Sequence, residues 1–261
     1  MCLILFAFDS SPDSALVLSA NRDEFFSRPS AAAQFWDDHT NVLAGQDLVG
    51  GGTWLGITRS GRFAAVTNIR EPDIVIENPL SRGNLTRDFL TGTQSCETYL
   101  ESIQDQQNSY SGFNLLVGEM NDSNRELLYF SNRREGVTRL HSGVYGLSNH
   151  ILDSGWPKVN AGKVHIQEVL KLHASEAQHE KLREFLENPS LANDDELPKT
   201  GVSYEREKAL SAAFIHLPNY GTRTSTVLSI NNGTTLFSEK NYLNADNQQD
   251  KSGKKSQFFR W

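Results

Sequence analysis

Leu3-Ile4-Leu5-Phe6-Ala7-Phe8, the turn Asp9-Ser10-Ser11-Pro12-Asp13 and the return Ala15-Leu16-Val17-Leu18-Ser19-Ala20 follow directly on Met1-Cys2 and lead directly into Asn21-Arg22-Asp23-Glu24. Two short apolar runs separated by a Ser/Pro/Asp turn predict a β-hairpin. A turn centred on Ser11 and Pro12 puts Leu3 opposite Ala20 and Cys2 opposite Asn21. Antiparallel pairing then carries Asn-Arg-Asp-Glu to the neighbourhood of Cys2, and a slip of two residues does not remove it.

Cysteine is small enough for an initiator methionine before it to be trimmed. Trimming leaves one residue with both a thiol and a free α-amine. The amine's reference pKa of about 7.7–8.0 suits a general base, and the thiol, at about 8.5, is the most easily activated side-chain nucleophile. The competing reading makes Cys2 a small hydrophobe opening a buried strand. The tetrapeptide opposite favours a site. A carboxylate orients an N-terminal amine, and an arginine favours thiolate.

The chain has 261 residues, 38% hydrophobic and 22% charged, which accommodates a packed core in one large domain or two small ones. A net charge of −7 argues against a nucleic-acid partner. Two cysteines, Cys2 and Cys96, make no disulfide framework and fit a reducing compartment. The leading apolar run is too short for a signal peptide or a membrane span, so a soluble cytoplasmic protein without stable membrane insertion is expected.

Further strands are predicted at Trp54–Thr58, Phe63–Asn68, Gly112–Gly118, Glu126–Phe130, Val137–Leu140 and Val144–Ser148, with late ones at Ser225–Ile230, Thr234–Ser238 and Gln257–Trp261. Helices are predicted at Ser81–Leu90, Glu97–Gln104, Pro157–Leu172, Glu176–Glu187 and Glu205–Phe214. This is an α+β pattern with much antiparallel pairing rather than a βαβ series. Asn188–Ser203 and Asn244–Ser256 read as exposed, mobile connections. Gly50–Gly52 lacks phosphate-loop and dinucleotide spacing and reads as a tight turn or a close backbone approach at a pocket wall. The seven histidines show no metal-ligand spacing. His150, His173 and His179 read as surface or satisfied residues, and no metal site is expected. Trp36, Trp54 and Trp156 read first as core, with pocket lining as the alternative.

Cys2 followed by Asn21-Arg22-Asp23-Glu24 resembles the signature of the NRDE family, also called the transport and Golgi organisation 2 family. The likeness continues through Gly50-Gly51-Gly52-Thr53-Trp54-Leu55-Gly56, Val66-Thr67-Asn68-Ile69-Arg70, Gly112-Phe113-Asn114-Leu115-Leu116-Val117-Gly118, Tyr145-Gly146-Leu147-Ser148-Asn149 and Trp156-Pro157-Lys158-Val159. It spans most of the chain, residues 1–261 being expected to form one domain. The resemblance implies an N-terminal-nucleophile (Ntn) hydrolase-like fold, a four-layer αββα sandwich of two antiparallel sheets flanked by helices. It also implies a more distant likeness to penicillin V acylases and bile-salt hydrolases. By that likeness Cys2, Arg22, Asp23, Asn149 and, more weakly, Arg223 are catalytic candidates, Asn149 as the oxyanion donor. Asn21, Glu24, Trp54 and Asn68 are substrate-binding candidates. In those acylases two residues separate the arginine from the aspartate, whereas Arg22 and Asp23 are adjacent. Adjacent strand residues point to opposite faces, so which of Arg22, Asp23 and Glu24 faces Cys2 is left open.

The chemistry implied is hydrolysis of a linear amide or related acyl compound through a thioester on Cys2, with no cofactor required. A second reading also comes from the resemblance. Relatives have been linked to haem trafficking and to lipid or acyl-coenzyme A homeostasis, which makes the protein a non-catalytic carrier of haem or an acyl lipid.

Overall fold

A computed structural model describes residues 2–121, 124–242 and 255–261. The opening hairpin is β1 (Cys2–Ser11) and β2 (Ser14–Phe25), followed by β3 (Ser30–Phe35), β4 (Val42–Asp47), β5 (Leu55–Thr58) and β6 (Arg62–Asn68). Then come α1 (Arg82–Thr91), α2 (Cys96–Gln106), β7 (Phe113–Asn121), β8 (Asn124–Ser131), β9 (Thr138–Arg139) and β10 (Gly143–Leu147). α3 (Pro157–Val169), α4 (Glu176–Leu186) and α5 (Tyr204–Ala209) precede β11 (Tyr220–Asn231), β12 (Thr234–Asn241) and β13 (Lys255–Arg260). One sheet runs β10-β1-β2-β11-β12-β13 and the other β3-β4-β5-β6-β7-β8-β9, and every pairing is antiparallel.

The apolar runs of β1 and β2 do not alternate because both of their faces are covered. Ile4, Phe6, Leu16 and Leu18 pack against Leu43, Ile57, Phe63 and Leu116 of the second sheet, forming the core between the sheets. The intervening residues face helices: Ala7 and Val17 meet Ile166 and Leu182, and Leu3 and Leu5 meet Val159. On the far side, Ala64, Leu115 and Val117 pack against Leu85 and Phe89 of α1 and Leu100 of α2. The layers are therefore helices, sheet, sheet, helices, which is the αββα sandwich expected. Truncating a fully buried aromatic such as Phe6 or Phe63 to alanine in such a core typically costs ~3–5 kcal/mol.

The hairpin register differs from the expected one by a single residue. The strands run on to a Ser11–Ser14 pair, and the register shifts between Phe8 and Ser11, where Asp9 takes a φ of +45°. That irregularity places Leu3 opposite Asn21 and Cys2 opposite Arg22. Because side chains alternate with a period of two, a one-residue change decides which side chains share a face.

β3 and β4 were not expected from sequence. Their Ser30-Ala-Ala-Ala-Gln-Phe35 and Val42-Leu-Ala-Gly-Gln-Asp47 stretches are poor in β-branched residues, and pairing within the sheet makes them strands. α5 stops at Ala209 rather than reaching Phe214. Beyond it, the Leu210 and Ala212 carbonyls accept from the Lys158 ammonium at 2.9 and 3.4 Å, and the Phe214 N–H donates to Asn188. The 188–203 connection is tied down rather than loose. Ala192 N–H donates to the Ser211 hydroxyl, and Thr200 donates twice to the buried Glu207, itself paired with Arg70. Most of the second polar connection, residues 244–254, lies outside the described residues, as does Met1.

Candidate functional site

Cys2 is the first residue of β1 and shares the parity of Ile4 and Phe6, so it belongs to the inter-sheet side. Its partner Arg22 ends the inter-sheet row of β2 after Leu18 and Ala20. Where the apolar row gives way to these polar residues, a cavity of about 420 Å³ opens, lined among others by Cys2, Arg22, Glu24, Trp54, Asn68 and Arg82. Trp54 also packs against both large cores and so anchors one wall.

Arg22 is buried to all but 8% of its surface. Its Nη2 lies 3.4 Å from Asp47 Oδ2 and 3.9 Å from Glu24 Oε2, and its Nη1 has no hydrogen-bond partner among the described residues. Asp47 Oδ2 also accepts from Arg28 Nε at 2.6 Å, while Oδ1 accepts from the N–H groups of Val49 and Gly50. Burial works to raise the Asp47 carboxyl, but the Arg28 bond and the two amides outweigh it and hold the group below the usual carboxylate range. Arg82 donates to the Gly112 carbonyl at 3.1 Å and is in no ion pair among the described residues. Burial pushes the Cys2 thiol up. The negative charge of Asp23 adds to that, and Arg22 works against it.

Asp23 turns to the other side of its strand. Its Oδ1 accepts from the Thr222 hydroxyl at 2.7 Å, and its carbonyl accepts from the Tyr220 hydroxyl at 3.0 Å. Burial raises its carboxyl, and the Lys158 charge is the main opposing influence. Lys158, near the start of α3, is itself buried; desolvation lowers its ammonium to about 8 against the pull of Asp23. A carboxylate and an ammonium therefore lie behind the Cys2–Arg22 pair, on the helix side of the sheet.

Four of the candidate residues line the cavity with Cys2 and Arg22: Asp23, Glu24, Trp54 and Asn68. Three are placed elsewhere. Asn21 faces the helices, where its amide nitrogen donates to the carbonyls of Leu186 and Ala213 and its oxygen accepts from Ser225, so its hydrogen-bonding atoms are all committed. Asn149 is buried beneath the cavity, donating to the Asn68 carbonyl at 3.0 Å, with its own carbonyl accepting from Arg70 N–H. Arg223 occupies the irregularity between Thr222 and Thr224 on β11 and donates to the carbonyls of Phe25 and Arg28.

Arg28, Asp47 and Arg82 were not singled out from the sequence. Each arrives from a separate segment, and no local pattern ties those segments to Cys2. The glycine run gave the nearest signal. A Cβ on Gly52 would lie 2.3 Å from the carbonyl carbon of Gly83, so the β4–β5 loop and the first turn of α1 approach backbone to backbone at this wall. Thr53 N–H donates to the Gly83 carbonyl across the same contact.

The transport and Golgi organisation 2 family model matches residues 1–244. The chain is 37% identical over 268 residues to the transport and Golgi organization protein 2 homolog of Bos taurus, covering 94% of this chain and 95% of the relative. With the Homo sapiens homolog it shares 32% over 265 residues at the same coverage. Among solved structures, the Caenorhabditis elegans ortholog of N-acylethanolamine-hydrolyzing acid amidase aligns with 87% of this chain and 92% of its own, at 12% identity and a TM-score of 0.49. With the family model spanning nearly the whole length, the chain belongs to the transport and Golgi organisation 2 family.

Proposed function

We propose that the protein is an N-terminal-cysteine acyl hydrolase that cleaves a linear amide or related acyl compound through a thioester on Cys2. The observation that carries this reading is the pairing of Cys2 with Arg22 at the floor of the cavity. A thiol at the start of a strand, walled by a guanidinium and open to about 420 Å³ of space, has what an acyl-transfer nucleophile needs.

Removal of Met1 turns the Cys2 nitrogen into an α-amine. That amine takes the thiol proton, and Sγ attacks the substrate carbonyl carbon. Collapse breaks the C–N bond, and the departing amine takes the proton back from the α-ammonium. Water then attacks the thioester, yields its proton to the α-amine, and releases the acid, restoring the thiol. Arg22 favours the thiolate, and Asp23 favours the ammonium form of the amine. Asn68 is the cavity-lining amide suited to the developing oxyanion, with Asn149 holding the Asn68 backbone from beneath. Loss of one such donor typically costs on the order of 10²–10³ in rate.

The test is incubation of the purified protein with a panel of acyl amides and thioesters, read by product release and by the mass of the trapped acyl-enzyme. Turnover and a one-acyl adduct that both vanish in Cys2→Ala support the proposal. Equal turnover by Cys2→Ala refutes it. Tight binding of haem or an acyl lipid without turnover in either protein favours the carrier reading.

A further inference from the structure

We propose that Asp47 is a positioning residue of the site: its carboxylate reaches over from the second sheet and fixes the Arg22 guanidinium beside the Cys2 thiol. The inference deepens the acyl hydrolase reading, on which its catalytic meaning rests, by naming what holds the activating charge in place.

The first observation is how little else holds Arg22. It stands opposite Cys2 on β2. The 3.4 Å bond from its Nη2 to Asp47 Oδ2 is the one side-chain hydrogen bond it makes among the described residues. Glu24 lies 3.9 Å from the same nitrogen, beyond hydrogen-bond distance, and accepts from the Phe25 N–H. An arginine side chain has several rotatable bonds, and a guanidinium held at one end needs a rigid partner to stay in one place.

The second observation is that Asp47 is such a partner. It closes β4, a strand of the other sheet. Its Oδ2 accepts from Arg28 Nε at 2.6 Å, and its Oδ1 accepts from the N–H groups of Val49 and Gly50 at 3.0 and 2.9 Å. Its own N–H donates to the Gly52 carbonyl, and its carbonyl accepts from the Gly51 N–H, both at 2.9 Å. Gly51 completes that turn at a φ of +67°, which glycine takes without strain. Backbone and side chain are thus both fixed in one loop, which borders the cavity at Gly50.

The third is the division between the two oxygens. Oδ1 serves the loop, and Oδ2 serves the two arginines. Asp47→Asn therefore separates the roles. It keeps an oxygen for the loop amides and sets an NH₂ group, a donor, against guanidinium groups that offer no acceptor. Positioning and simple charge then predict opposite signs. Neutralising a carboxylate near a thiol, with Arg22 undisturbed, favours thiolate and lowers the thiol midpoint. Displacing Arg22 raises the midpoint, because Arg22 works in favour of thiolate.

The test is the pH profile of Cys2 alkylation by iodoacetamide. It reads the thiol rather than turnover, so its outcome does not depend on whether the protein hydrolyses anything. Asp47→Asn is expected to raise the midpoint by about one pH unit, the size of a lost neighbouring charge. Added to Arg22→Gln, the same change is expected to raise it no further, the non-additivity of two residues acting as one. Asp47→Glu, which keeps a carboxylate for the guanidinium, is expected to bring the midpoint back toward the wild-type value. A thermal melt confirms that each variant is folded. Asp47→Ser, whose hydroxyl also accepts from the loop amides, replaces the asparagine variant if that one does not fold. A midpoint that falls or stays in place in Asp47→Asn, or that rises equally in the Arg22→Gln background, overturns the proposal. The expected shifts in a protein that turns over no acyl compound refute the hydrolase reading and leave the hold of Asp47 on Arg22 standing.

Discussion

Cys2 stands across the first β-ladder from Arg22, and Asp23 turns away toward Lys158. The guanidinium, rather than the aspartate, is therefore the charge sharing a strand face with the thiol. Arg22→Gln removes a charge that favours thiolate, so the pH midpoint of Cys2 alkylation is expected to rise. Asp23→Asn removes a charge that disfavours thiolate, so the midpoint is expected to fall. Iodoacetamide rates against pH measure both. Cys96 does not interfere near neutrality, because burial first and Glu126 next push its thiol up to about 12. Midpoints that do not move in either variant would contradict the assignment.

Lys158 gives an alkaline signature. Its ammonium has an ordinary value of 10.5 and is lowered by burial to about 8 in the folded chain. Between those values the unfolded chain binds more protons, so stability rises as pH increases through that window. At ~1.4 kcal/mol per pH unit the difference amounts to about 3 kcal/mol. Lys158→Met is expected to flatten the rise, measured by urea unfolding at several pH values. An identical pH profile in wild type and variant would show that the amine is not buried as described.

His179 gives the acid counterpart. It is a buried residue of α4 within hydrogen-bond distance of Ser238 Oγ and Ser229 Oγ, at 2.8 and 2.9 Å. Burial first, and Arg183 next, lower it from 6.5 to about 4. The unfolded chain binds more protons between those values, so stability present above pH 6.5 is lost as pH falls toward 4, by about 3 kcal/mol. His179→Gln should show a shallower acid loss in the same urea experiment.

Gly52→Ala places a methyl group 2.3 Å from the Gly83 carbonyl carbon, where neither backbone has a flexible side chain to move aside. Overpacking of this kind typically costs ~1–3 kcal/mol. A lowered midpoint in thermal or urea unfolding is expected. A variant as stable as wild type would mean that the β4–β5 loop does not touch α1.

Much of the scaffold was legible in the sequence because both faces of the central strands are buried, and continuous apolar runs mark them plainly. The hairpin and the Arg22–Asp23 neighbourhood of Cys2 could be read from sequence. The exact register could not, because it depends on the irregularity at Asp9 rather than on the apolar pattern. β3 and β4 were hidden because pairing, not propensity, makes alanine- and glycine-containing segments into strands. Asn21 carries the chemistry of a site residue but serves packing, tying β2 to the carbonyl of the last residue of α4 and to one beyond α5. Arg28, Asp47 and Arg82 reach the cavity only through tertiary contacts between separate segments, which composition and spacing do not encode.

The central claim is that Cys2 acts through its own α-amine, which requires Cys2 to be the terminal residue. Intact-mass spectrometry of the untagged protein purified from its native cells tests this most directly. A mass lighter than the full sequence by one methionine residue, with cysteine first on sequencing, is the predicted result. A chain that keeps Met1 throughout would contradict the claim.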